Sequence, residues 1–218
     1  MTLHKTGKYS RNTAQKCIYR RTENGEMGCY FLFCMISYNQ KIREKAQCLE
    51  YNDIYDKDRN LTGHVHRRGT RWRPGEYGLV VCVWVYDGEG HLLLTRRAKE
   101  KSFPGTWENS GGAVKAGETS RQAIARELYE ETGIRADGSE FELLDTGTDK
   151  TFHYDYYCIR RKVPLSQIVL LPGETDDVQW ASFAQVHKLI EEKKMCKVIA
   201  RQFRRQEPML LSRQNAKK

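Results

Sequence analysis

The sequence predicts a single α/β (α+β) domain, and three observations carry that prediction. Apolar, β-rich runs such as LVVCVWVYD (79–87) and TFHYDYYCIR (151–160) lie on both sides of one strongly signalled amphipathic helix. Helical patterns return only near the C-terminal end. No internal repeat and no Gly/Ser-rich linker divides the 218 residues. Strands around a central helix, with later helices to cover them, define one layered domain.

Residues 1–49 show no clear periodicity and read as an N-terminal extension, with Met27 and Met35 as internal candidate starts. The texture changes at Glu50. YNDIYDKDRNLTGHVHRRG (51–69) reads as two short strands around a polar turn at Asp58–Asn60. Two residues apart on a strand, His64 and His66 share a face, and a hairpin surface explains them. RPGEYG (73–78) is loop. The run from Leu79 turns at GEG (88–90) into HLLLTRR (91–97), a hairpin pattern. FPGTW (103–107) is a turn leading to a short strand, with Gly111-Gly112 after it. Trp107 and Tyr154 read as core aromatics.

The helix that follows is bounded at both ends. Thr119-x-x-Gln122 fits a capping box and Gly133 fits the residue beyond a helix end, with Ala123, Ile124 and Leu128 on one face. Further strand-like runs occupy 141–147, 151–160 and 178–183. A helix is expected around 183–192, and a basic one near 195–206. The expected organisation is thus an extension (1–49), a domain (50–192) and a basic C-terminal helix and tail (193–218).

Composition limits the function classes. At 39% hydrophobic and 30% charged, the chain suits a globular protein. No apolar run approaches the ~18 residues of a membrane helix. CYFLFCMI (29–36) follows a basic stretch, but the leader would contain Glu23 and Glu26 and no small-residue cleavage site follows. The seven cysteines form no CxxC pair, so reduced thiols in a cytoplasmic protein are the expectation. The net charge of +9 is uneven. Residues 1–50 hold nine Lys/Arg against four Asp/Glu, 193–218 hold nine against one, and the centre carries −4. Basic ends suit an anionic surface or nucleic acid, or are solvated.

The segment RELYEETGI (126–134) places Glu127, Glu130 and Glu131 on one face near a helix C-terminus. Carboxylates there are disfavoured by ~0.3–1 kcal/mol each. Solvation is the plain explanation. A hard divalent cation is the other, since clustered carboxylate oxygens suit Mg²⁺ or Mn²⁺. The wider segment GAVKAGETSRQAIARELYEETGI (112–134) meets every fixed position of G-x5-E-x7-R-E-U-x-E-E-x-G-U, U being a bulky aliphatic. It resembles the Nudix superfamily, and the surrounding strand pattern extends the resemblance over about 50–192.

The resemblance implies a mixed β-sheet between helices, with the motif as a loop–helix–loop. It implies Glu127, Glu130 and Glu131 as ligands of Mg²⁺ (or Mn²⁺), Arg126 pairing with a motif glutamate to orient it, Glu118 near the helix start, and Gly112 at a close backbone approach. Catalytic candidates are Glu127, Glu130, Arg126 and Glu174, the last from a distal loop ahead of Asp177. Substrate-binding candidates are Arg96, Arg97 and Gly112; forked guanidinium groups suit phosphate. The expected reaction is hydrolysis of a diphosphate bond in a nucleoside diphosphate linked to another moiety or a related small substrate. Homodimers are common in the family. The stretch from Asp53 to Ala98 is similar to the branch near isopentenyl-diphosphate isomerase. Where that isomerase carries its cysteine motif, this chain reads WENSGG (107–112), and its motif glutamates are intact. Isomerisation and RNA-directed pyrophosphohydrolysis are the alternatives, the latter fitting the basic C-terminal end.

Overall fold

The computed structural model describes residues 50–215 and, ahead of them, the strands β1 (Arg20–Arg21) and β2 (Met27–Gly28), which pair antiparallel. The chain divides into two compact units, 1–49 and 50–218. The remaining expectations for 1–49 lie outside the described residues.

The second unit opens with a two-stranded hairpin, β3 (Tyr51–Tyr55) and β4 (Leu61–Arg67). Its turn is closed by Asp56, whose Oδ1 accepts from the Asp58 and Asn60 amides at 2.9 Å each. An aspartate folding back on its own turn in this way replaces the ladder that the strands cannot continue. His64 is exposed, but His66 is buried under Trp72, ring centroids 3.6 Å apart. The expected hairpin surface therefore holds for only one of the two.

The main sheet contains β5 (Gly78–Tyr86), β6 (His91–Arg97), β7 (Trp107–Glu108), β8 (Ser110–Ala113), β9 (Glu142–Asp149), β10 (Phe152–Arg160) and β11 (Thr175–Ser182). Its path is β11-β6-β5-β10-β9, with β7 on β6 and β8 on β5. Only β10 and β5 run parallel among these pairs, so the sheet is mixed. The expected β5–β6 hairpin is there, but its ladder is short: Tyr86 pairs with Leu92. Beyond that point β5 turns its edge to Ser110–Ala113 and β6 turns its edge to Trp107–Glu108. A segment with two glycines and weak strand propensity becomes sheet because two longer strands each offer it backbone partners.

β5 is buried on both faces, which explains its unbroken apolar run. Val81, Val83 and Val85 pack with Leu93 against Ala123, Ile124 and Leu128 of helix α1 (Ser120–Thr132). The alternate residues Trp84 and Tyr86 join Leu92 and Leu94 under helix α2 (Phe183–Glu191) and helix α3 (Lys197–Asn215). The result is the α+β sandwich that the strand and helix pattern predicts.

α3 differs from expectation. It runs past 206 through Pro208 to Asn215, and one face is core: Phe203 and Leu210 are buried, and Gln206 accepts the Trp84 indole N–H at 2.8 Å. Proline removes a helical hydrogen bond, and this burial offsets the loss. Three of its four arginines are ion-paired. Arg201 pairs with Asp149, Arg205 with Asp145 and Arg213 with Glu142, all on β9. Among the described residues no helix is long and apolar enough to cross a membrane.

Candidate active site

α1 begins with a closed capping box. Thr119 Oγ1 accepts from the Gln122 amide at 3.3 Å, and Gln122 Oε1 accepts from the Thr119 amide at 2.9 Å. It ends at Gly133, whose φ of 74° lies in the left-handed region that glycine tolerates. These two punctuation marks fix the rotation of α1, and the apolar face then docks on β5 and β8. The flank of that face carries Glu127, Glu130 and Glu131 into a cleft that Gly111, Gly112, Arg126 and Glu174 also line.

Arg126 organises the cleft. Its Nε and Nη2 donate to the two oxygens of Glu118 at 2.7 and 2.8 Å, a fork-to-fork pair. Its Nη1 donates to Glu127 at 2.7 Å and reaches Glu130 at 3.2 Å. The expected single orienting contact is therefore a four-residue network. The Arg126 guanidinium holds Glu118 below the usual carboxylate range, aided by the Lys115 amide at 3.0 Å.

Glu131 is the deepest of the acids. Ser110 and the Gly111 amide pull its pKa down, while its Oε2 is buried with no hydrogen-bond partner in the protein. Burial, then repulsion from Glu108 and Glu127, pushes its carboxyl well above the usual range. Burial also raises Glu127 against the opposing pull of Arg126. Glu108, on β7, does not line the cleft, but its charge acts on Glu131, and motif reasoning missed it. It is 13% exposed, and burial raises its pKa although Arg97 Nη1 donates to both its oxygens at 2.7 and 2.6 Å. Nothing in its local sequence marks it; β7 must first be wedged beside β6.

The other candidates separate. Glu174 reaches the cleft from the loop before β11 and is ion-paired with Lys101. Arg96 and Arg97 are not among the cleft-lining residues. Arg97 is committed to Glu108 and to the Ser102 hydroxyl at 3.0 Å. Arg96 lies on the other face, over the Trp107 ring at 5.7 Å and 3.3 Å from Asp177. Adjacent strand residues point to opposite faces, so the two arginines do not face one site together.

The donor set suits a hard divalent cation. Buried, mutually repelling carboxylates with one orphaned oxygen are costly to leave uncompensated. Among the described residues no three acidic, histidine or cysteine side chains yet converge as a ligand set. Two of the acids are ion-paired with the chain's own cations, Glu130 with Arg126 and Glu174 with Lys101.

A mixed-sheet sandwich with this loop–helix–loop defines the Nudix class. The NUDIX domain family model matches residues 76–204, and the chain belongs to that family, whose members are enzymes acting on phosphorus anhydrides. An uncharacterized Nudix hydrolase of Listeria monocytogenes, lmo0368, is 34% identical over 148 residues, covering 65% of this chain and 85% of the relative. The isopentenyl-diphosphate Delta-isomerase of Enterobacter sp. is 31% identical over 123 residues, covering 52% of this chain and 66% of that enzyme. In fold, the crystal structure of DR0079 from Deinococcus radiodurans is similar, with a TM-score of 0.62 at 21% identity over 72% of this chain and 99% of that one.

Proposed function

We propose that the chain hydrolyses a diphosphate bond in a small substrate, of the form nucleoside or small group linked through two phosphates to a further moiety. Glu127, Glu130 and Glu131 are read as the ligands of Mg²⁺ or Mn²⁺. The observation that carries this reading is Glu131: a buried carboxylate whose Oε2 has no hydrogen-bond partner, under the charges of Glu108 and Glu127. A bound divalent cation would neutralise the diphosphate, stabilise the leaving oxygen and lower the pKa of water. Arg126 keeps Glu127 and Glu130 turned toward the cleft. Gly112 lets the Glu127 carboxylate lie against the backbone. Glu174 is the candidate acceptor of the water's proton, and its pairing with Lys101 keeps a cation beside it.

Isomerisation is less well supported. Cys82 feels the charges of Glu108, Glu131 and Glu127, and burial pushes its thiol up to about 12, far from an acid–base group working near neutrality. The ion pairs between α3 and β9 also reduce the charge left for RNA.

The test is turnover of a panel of nucleoside diphosphate sugars, dinucleotides, nucleoside triphosphates and isoprenoid diphosphates in ¹⁸O-water with Mg²⁺ or Mn²⁺. Hydrolysis puts ¹⁸O into one phosphate product; isomerisation releases no phosphate and incorporates none. Glu130→Gln should lower kcat by about 10²–10⁴-fold on a substrate the wild type cleaves. Near-wild-type kcat in that variant would remove the motif from the chemistry. A large loss in Glu174→Gln with Mn²⁺ binding intact would mark Glu174 as the base. RNA-directed action would show instead as RNA binding that falls steeply with salt.

A further inference from the structure

The cleft has a wall that the catalytic motif does not supply. Glu50 and Arg68, at the two ends of the β3–β4 hairpin, line it together with Lys115 of the motif loop. The hairpin precedes the stretch 76–204 that carries the family match, so this wall lies outside the matched stretch. It is firmly seated. The Asn52 side chain donates to the Val114 carbonyl at 2.7 Å, the Ala116 amide to the Tyr51 carbonyl at 2.8 Å, and the Gly117 amide to Asp53 Oδ2 at 2.8 Å. Three bonds, to Val114, Ala116 and Gly117, set the hairpin against the loop that precedes α1.

Within this wall Glu50 splits its two oxygens between two cations. Oε2 pairs with Arg68 and Oε1 lies 3.3 Å from Lys115 Nζ. The trio carries a net positive charge, and its cations face solvent: the Arg68 side chain is 61% exposed and that of Lys115 37%. An exposed ion pair contributes little to stability, about 0–1 kcal/mol. Two cations at one carboxylate are therefore poorly accounted for by folding alone. At the rim of an acid-rich cleft, a guanidinium fork and an ammonium group offer a second anion site beside the one the carboxylates would serve through a cation.

We propose that Arg68 and Lys115 bind a further phosphate of the substrate, beyond the diphosphate held at the motif glutamates, so that the preferred substrate class carries at least three linked phosphates. This rests on the diphosphate hydrolysis proposed above. Glu50 acts as a placeholder: it holds both cations toward the cleft and yields them to the phosphate.

The experiment separates the two readings by using binding as well as turnover. Calorimetry on the full chain would compare inorganic tripolyphosphate with inorganic pyrophosphate, for wild type, Arg68→Gln, Lys115→Gln, Arg68→Lys and, as a surface control, Arg204→Gln. Tripolyphosphate affinity should fall tenfold or more in Arg68→Gln and in Lys115→Gln, pyrophosphate affinity less than twofold, and Arg204→Gln should change neither. Arg68→Lys should recover part of the loss. With a nucleoside triphosphate that wild type cleaves, Arg68→Gln should raise KM with kcat nearly unchanged, since a site remote from the cleaved bond binds ground and transition states alike. Equal losses for the two phosphates, or no loss for either, would overturn the proposal, and melting curves would confirm that each variant is folded. Absence of turnover on every substrate, with selective tripolyphosphate binding retained, would count against the hydrolysis reading and leave the anion site standing.

Discussion

Glu127 closes on Gly112 so tightly that a methyl group on Gly112 would occupy the position of the Glu127 carboxylate. The neighbouring glycine is crowded differently. A methyl on Gly111 would run into the Val81 carbonyl and the Cys82 backbone. A carboxylate at the end of a flexible side chain can swing away, whereas a strand backbone cannot. Gly112→Ala should therefore fold, with a melting point near wild type, but lose at least tenfold in kcat because Glu127 is displaced. Gly111→Ala should lose about 1–3 kcal/mol of stability, the usual cost of overpacking. Thermal melts and steady-state kinetics on the two variants check this; the reverse pattern would mean that the glycines have been assigned the wrong neighbours.

Arg126 serves two ends of the motif, and this gives a second prediction. Glu118 touches Arg126 but lies at the start of the loop-to-helix junction, not on the face with Glu130 and Glu131. Glu118→Gln weakens the fork that aims Arg126, so it should lower kcat by about tenfold, well short of the loss in Glu130→Gln, and leave the melting point within a few degrees. Arg126→Lys should cost more, since an ammonium group cannot hold Glu118 bidentately and reach Glu127 as well. Kinetics with Mn²⁺ titration of each variant would decide. If Glu118→Gln matched Glu130→Gln in severity, Glu118 would be acting directly and not through Arg126.

How legible the site was depends on the range of the interactions that make it. α1 could be read from sequence because its signals are local: Thr119 and Gln122 bond across three residues, and Gly133 stops the helix one residue after Thr132. The acidic face follows from helical spacing alone. Glu108 could not be read, because its burial depends on β7 pairing with β6, and Glu131 meets it only once α1 has docked. The pairing of Arg97 with Glu108 was hidden for the same reason, and so was Lys101 beside Glu174, 73 residues away. The C-terminal helix, expected near 195–206, runs on to Asn215, because the burial of Phe203 and Leu210 that carries it through Pro208 is tertiary.

That burial has a direct test. A chain ending at Glu192 lacks Phe203, Leu210 and the Gln206 partner of the Trp84 indole. Loss of a buried phenylalanine alone costs about 3–5 kcal/mol, and typical domain stability is only about 5–15 kcal/mol. The truncated chain should fail to show a cooperative melt. A chain beginning at Met35 should melt and hydrolyse like the full length, as expected of a dispensable N-terminal extension. Calorimetric scans of both shortened chains would expose either error: a cooperative transition without α3, or loss of folding without residues 1–34.

The β5–β6 turn gives a prediction about pH. Asp87 is buried at this turn; its Oδ1 accepts from the Glu89 amide at 2.6 Å and the His91 amide at 3.0 Å, and its Oδ2 meets His91 Nδ1 at 2.7 Å. Burial pushes the carboxyl up, but the two amides and the imidazole together outweigh it and hold Asp87 below the usual carboxylate range. A folded-state pKa below the unfolded value of about 3.9 means that the unfolded chain binds the proton more readily. The contribution to stability is then present in full above that unfolded value and is lost as pH falls through the folded one. Asp87→Asn removes the charge and keeps the size, so it should cost about 1–2 kcal/mol at pH 7, in line with hydrogen bonds to a charged group. The gap between the variant and wild type should narrow below about pH 4. Urea melts at pH 7, 5 and 3 measure it, provided both proteins still fold at the lowest pH. A gap that stayed constant down to pH 3 would show that the turn depends on the shape of Asp87 and not on its charge.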